Sequence, residues 1–245
     1  MSGDMWRTIR ETSGPSRSGA LVFRTVAAAC VLGASLAQQP PRPEFAPVQD
    51  VPGLPRVLII GDSISIGYTL PLREALAGVA NVHRPPENCA HTARGLERLR
   101  KWLGEGRWDL IHFNWGLHDL KHVDSEGGLA LPPDGKRVHS VRQYEENLGL
   151  LVQQLQQTGA KLLWRPTTPV PEGAAGRFPA DVPIYNEAAL RVMTRHGVAV
   201  DDLNAFIKER AIPHVRPDNV HFSKESSALL AQHIAGVISS ALSML

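Results

Sequence analysis

The sequence predicts an α/β fold: a parallel sheet with helices on both faces. Short apolar runs recur along the chain, segments with helical spacing of apolar residues separate them, and polar clusters follow the runs. Residues 56–60 (RVLII) lead with one charge into an apolar run that stops at Gly61, the pattern of a strand buried on both faces. A helical stretch follows at about residues 70–77, and residues 79–84 supply a second strand. Residues 92–103 set Leu96, Leu99 and Leu103 at helical spacing. Residues 109–114 (DLIHFN) are the third strand, and residues 127–136 a Gly/Pro-rich loop. Tyr144, Leu148, Leu151 and Leu155 mark one face of a long helix. Residues 161–164 give a fourth strand, 184–196 a helix, 198–201 a fifth strand, and 224–245 a closing helix. No internal repeat and no second domain is visible.

The chain has 245 residues, of which 43% are apolar and 20% charged, which excludes a disordered or fibrous protein. Lys and Arg number 26 against 24 Asp and Glu, too balanced for a nucleic-acid binder with a basic stripe. Two cysteines cannot build a disulfide scaffold or a Cys-rich zinc site.

The N-terminus reads as a leader. Arg7, Arg10, Arg17 and Arg24 precede an uncharged, mostly apolar stretch at residues 25–36, which ends in Ala34-Ser35-Leu36-Ala37. That is the build of a secretory signal, and its apolar part is too short to span a membrane. The expectation is residues 1–37 as signal peptide, 38–55 as a proline-rich linker and 56–245 as one catalytic domain. Cleavage near Ala37 removes four Arg and two acidic residues, so 26 against 24 becomes 22 against 22. The expected location is secreted or periplasmic, without a stable membrane anchor.

In a parallel sheet the ligand site lies beyond the carboxyl ends of the strands. There the first strand ends in Gly61-Asp62-Ser63, the third in Asn114-Trp115-Gly116-Leu117-His118-Asp119, and the last helix is preceded by Asp218-Asn219-Val220-His221. A serine opening a helix sits beside free backbone N–H groups that stabilise an oxyanion. It needs a general base, and the base an orienting group. Asp218 and His221 offer both to Ser63. His118 and His122 have the i, i+4 spacing of zinc proteases, but they follow a strand end rather than lying on a helix, so neither metal nor cofactor is expected.

Gly61-Asp62-Ser63, the Gly-x-x-Asp after strand three and Asp218-x-x-His221, in that order, resemble the SGNH (GDSL) hydrolases, a family of esterases and lipases. The resemblance implies a flavodoxin-like three-layer α/β/α sandwich with a five-stranded parallel sheet. It also implies Ser63 as nucleophile, His221 as base and Asp218 as the group that orients it. The family's oxyanion hole takes a Ser N–H, a Gly N–H and an Asn side chain. By position these are Ser63, Ala90 in place of the glycine, and His118 in place of the asparagine, with Asn114 as the alternative side-chain donor.

The expected activity is removal of short acyl groups, acetyl above all, from carbohydrate. The alternatives are a lipase or thioesterase of the same family, and a carbohydrate-binding protein with weakened catalysis. Trp115, Trp164 and Arg165 at strand ends are expected to offer stacking faces and donors to a sugar, with burial as the competing role for the tryptophans. The expected partner is a small-molecule or polysaccharide ester, bound by a monomer, with no nucleic acid.

Overall fold

In the computed structural model, which describes residues 42–244, the chain runs in β–α order. The elements are β1 (Arg56–Ile60), α1 (Ser63–Ala75), β2 (Asn81–His83), α2 (Thr92–Leu103) and β3 (Leu110–Phe113). Two-residue strands β4 (His122–Val123) and β5 (Lys136–Arg137) follow, then α3 (Val141–Gln156), β6 (Lys161–Trp164) and α4 (Asp181–His196). β7 (Ala199–Val200), α5 (Leu203–Glu209) and α6 (Lys224–Leu242) close the chain. The signal peptide expected at residues 1–37 lies outside the described residues.

The main sheet is five-stranded and parallel, in the order β2-β1-β3-β6-β7. β1 and β3 are completely buried from Val57 and Leu110 onward, because helices cover both faces. α1 and α5 pack against α6 on one face, while α2 and α4 pack against α3 on the other. This is the flavodoxin-like order, in which the chain reverses direction across the sheet between β1 and β3. β4 and β5 form a separate antiparallel pair within the loop after β3.

Two helices differ from the sequence expectation. α1 begins at Ser63, seven residues before the expected start near Leu70, and it runs through Gly67 and Pro71. Both residues disfavour a helix interior. Packing overrides them, since Ile64, Tyr68 and Leu72 bury one face beneath α6. α5 was not expected at all. It is short, capped by Asp202 accepting from Ala205 N–H at 2.9 Å, and held by buried Leu203 and Ile207.

The described part of the proline-rich run lies along the domain. Asn81 fastens it: its side chain accepts from Val51 N–H at 2.9 Å and donates to the Val51 and Leu54 carbonyls at 3.1 Å each. Among the described residues no helix is long and apolar enough to cross a membrane.

Candidate active site

Ser63 is the first residue of α1, directly beyond the carboxyl end of β1. Asp62 caps this helix, its Oδ1 accepting from the Ile64 N–H at 3.0 Å. The Ser63 N–H finds no acceptor among the described residues, so it remains one of the orphan donors of a helix N-terminus. The side chain is partly exposed, as a nucleophile must be.

His221 reaches Ser63 from the loop before α6, with Nε2 2.9 Å from Oγ. Three contacts fix that loop. The His221 carbonyl accepts from Val215 N–H at 2.8 Å, Phe222 bridges to His214 and stacks on its ring at 4.7 Å, and Ser223 caps α6.

The side chain that meets His221 Nδ1 is Asn219, which corrects the expectation that Asp218 stands there. Asn219 Oδ1 lies 2.7 Å from His221 Nδ1 and 2.9 Å from the His221 backbone nitrogen. A backbone N–H can only donate, so the atom it meets is the amide oxygen, not the NH₂. The same oxygen therefore accepts from Nδ1–H, which leaves Nε2 unprotonated and able to take the Ser63 proton. Asp218 points away, its carboxylate largely exposed and 3.7 Å from Arg216. The local reason is an Asx turn: an asparagine side chain bonds the N–H two residues on, which places residue 219 and not 218 beside the ring.

Electrostatics favour a neutral base. Burial holds His221 below the ordinary imidazole range and the Arg177 charge adds to this, while the Asp62 charge opposes it. His118 responds to the same Asp62 and Arg177, so the two rings share one neighbourhood. Burial pushes His118 down to about 4, leaving it neutral at physiological pH with a single N–H to give. Its ring makes no hydrogen bond to the described residues. The turn that carries it is pinned by Asp119, whose carboxylate accepts from Thr92 N–H, Thr92 Oγ and His139 Nδ1. Gly116 is required here: its φ is 149°, and a Cβ would lie 2.1 Å from Thr167 Oγ.

The other expected donors are engaged elsewhere. Ala90 adopts the positive φ of 48° that the glycine position demands, but its N–H already donates to Asn88 Oδ1 at 2.9 Å. Asn114 is buried with its NH₂ on the Arg165 and Trp115 carbonyls at 2.7 and 3.3 Å. That removes Ala90 and Asn114 as free donors in this state and leaves the Ser63 N–H and the His118 ring.

The three expected sugar contacts are corrected by burial. Trp115 and Trp164 are 0% and 1% exposed, and Trp115 donates to the Cys89 carbonyl at 3.3 Å. Arg165 is 1% exposed and lies under the sheet end, 3.9 Å from Asp62. Helices cover both faces of the sheet, so side chains at these strand ends are enclosed whichever way they point. Cys89 is buried, and desolvation pushes its thiol up to about 12, so it is no nucleophile. His118 lies on a turn and His122 opens β4, so the i, i+4 spacing does not put their rings on one helix face. The sequence reading missed Asn219 and Arg177. The Asn-x-His spacing of an Asx turn signals the first; nothing in the sequence signals the second.

No family model matches the chain, and no curated protein matches it in sequence. Solved structures do match in fold. An acetyl xylan esterase, AlAXEase, superposes with a TM-score of 0.61 at 16% identity, over 75% of this chain and 99% of that one. A lipase/acylhydrolase from Enterococcus faecalis gives 0.60 at 19%, over 77% and 97%. A GDSL-like lipase from Bacteroides thetaiotaomicron gives 0.58 at 14%, over 81% and 94%. The chain thus has the three-layer α/β/α fold of the SGNH hydrolases.

Proposed function

We propose that the chain is an exported serine esterase that cleaves carboxylic esters through an acyl-enzyme, removing short acyl groups from carbohydrate. The observation that carries the chemistry is the 2.9 Å contact between Ser63 Oγ and His221 Nε2 at the N-terminus of α1. The fold likeness to esterases and acylhydrolases supports it, as does a site at the β1/β3 crossover, where such sheets bind ligands.

In this reading Ser63 Oγ attacks the ester carbonyl while its proton passes to His221 Nε2. Nδ1–H stays on Asn219 Oδ1 and keeps the ring aligned. The Ser63 N–H and the His118 N–H meet the developing oxyanion. As the intermediate collapses, the C–O bond to the alcohol breaks and His221 returns the proton to the departing oxygen. Water then repeats the sequence on the acyl-enzyme, with His221 as base, and frees the acid and Ser63.

Export rests on the leader at residues 17–37, and a short acyl group on the charged, Gly/Pro-rich composition of residues 121–140. A lipase reading has its own observation, because Leu129 and Leu131 in that loop are exposed. The test is turnover of p-nitrophenyl esters of rising chain length by the wild-type chain and by Ser63→Ala. The expected results are a preference for acetyl over octanoyl and a loss on the order of 10⁴-fold in kcat for the variant. Activity rising steadily with chain length replaces the acetyl reading with a lipase, and near-wild-type activity in Ser63→Ala overturns both.

A further inference from the structure

Beside the His118 ring stand two cations that pair with no acid of the described residues, and the charge of one of them, Arg177, also reaches His221. Gly176, at φ 64°, lets its loop approach β4 so closely that its carbonyl accepts from His122 N–H at 2.7 Å. The residue before His122 and the residue after Gly176 are therefore neighbours: Lys121 and Arg177. Arg177 is anchored, with Nε donating to the Leu117 carbonyl at 3.0 Å and Nη1 to the Ala175 carbonyl at 3.2 Å. Leu117 directly precedes His118, so the guanidinium is tied to the turn that carries that ring. Nη2 has no partner among the described residues and is the nitrogen of this largely buried residue left open to an incoming group. No carboxylate of the described residues lies within 4 Å of either cation. The acid whose charge reaches Arg177 is Asp62, and Asp62 is buried and committed to capping α1.

Gathering like charges in partial burial is unfavourable unless an anion joins them. Arg177 offers an unused donor on a pre-positioned planar fork, and Lys121 a compact charge on a flexible stem. We propose that Lys121 and Arg177 form a subsite for a carboxylate, sulfate or phosphate on the alcohol part of the ester, so that the substrate is an acylated acidic sugar. The inference rests on the esterase reading and gives it a substrate class. Anchoring the anion beside His118 holds the ester carbonyl near Ser63, which raises kcat/KM by positioning.

The test compares acetyl esters of methyl glucuronide, glucose 6-sulfate and glucose 6-phosphate with that of the neutral methyl ester of methyl glucuronide. At least one charged ester should exceed the neutral one by about tenfold or more in kcat/KM, the scale of one charge-assisted hydrogen bond. Which ester leads identifies the anion. Raising salt should lower the charged-to-neutral ratio. Lys121→Met, whose side chain makes no hydrogen bond that supports the fold, should lower that ratio by about threefold or more. Arg177→Lys should retain more of it than Arg177→Met. Equal rates on all four esters, with p-nitrophenyl acetate still cleaved in a Ser63-dependent way, overturn the subsite and leave the esterase standing. A ratio unmoved in both Lys121→Met and Arg177→Met also overturns it. Failure to cleave p-nitrophenyl acetate removes the esterase reading and the subsite with it.

Discussion

Two histidine constellations, one inside the domain and one at its rim, are built to opposite specifications. In the interior, Asp201 joins His112 of β3 to His233 of α6, with Nε2–carboxylate distances of 2.9 and 2.8 Å. Asp201 is 1% exposed, Phe206 stacks on His233 at 4.1 Å, and the group fastens the sheet to its α1/α5/α6 layer. At the rim, His221 rests on a neutral amide, keeps one nitrogen on a serine and stays open to solvent. Where the task is to hold, a full carboxylate is shared between two rings. Where the task is to pass a proton back and forth, the ring is oriented without a carboxylate on Nδ1, so its protonated form is not trapped.

The first way to break that comparison is to remove the amide. Asn219→Ala should lower kcat on the order of 10³-fold, because Nδ1 loses the acceptor that selects its tautomer. Asp218→Ala should change kcat by less than about fivefold, the factor that corresponds to an exposed ion pair. Steady-state kinetics of the two variants side by side decide the matter. The reverse ranking would mean that Asp218 swings onto the ring during turnover and that both constellations use carboxylates.

The interior constellation answers to a different assay. Asp201→Ala leaves two buried rings without their shared acceptor and should cost about 3 kcal/mol or more of stability, read by chemical denaturation. The sign with pH follows from the depressed folded-state pKa of Asp201: burial raises it, and the interactions with His112 and His233 together outweigh that. Its contribution is complete above the ordinary aspartate range and drains only as pH falls through that range toward the depressed value. An undiminished stability in Asp201→Ala would reduce the cluster to a contact without energetic weight.

The unequal legibility of these regions has a physical cause. The strands β1, β3 and β6 were legible because burial on both faces demands continuous apolar runs, and Ser63 and His221 because the serine–base pairing constrains residue type. Asn219 was missed because the aspartate three residues before the histidine filled the orienting role in the sequence, and it is the folded Asx turn that brings residue 219 to the ring. The cradle of Arg177 was invisible, because it depends on Gly176 closing onto β4, a contact across more than fifty residues. Trp115 and Trp164 were misplaced because the sequence marks where a strand ends but not that the surrounding helices and loops close over its end.

His118 sharpens the comparison from the rim side, being a ring with no hydrogen-bond partner among the described residues. His118→Ala should lower kcat about 10²-fold, the usual cost of one oxyanion donor, with its melting temperature nearly unchanged. Because burial pushes His118 down to about 4, it stays neutral through the working range and should leave no limb of its own near neutrality. A change under about threefold would move the donor role elsewhere, with Ala90 released from Asn88 as the next group to test.

The smallest expected effect is also the most direct probe of why the rim uses an amide. In the wild type, kcat/KM should rise with pH through the His221 titration, at a value below the ordinary 6.5 of imidazole, since only the neutral ring accepts the Ser63 proton. Asn219→Asp keeps the acceptor for the His221 N–H and the Asx turn, so the loop retains its shape. It places a charge where Oδ1 now stands, 2.7 Å from Nδ1, and thereby favours the imidazolium. The acid limb should move to higher pH by on the order of one unit, and the plateau should change little beside that shift. The variant then loses activity just below neutrality, where the wild type keeps it. A limb that stays in place would show that residue 219 does not touch the ring during turnover, whereas the same upward shift abolished by adding Asp218→Asn would show that the two positions compete for Nδ1.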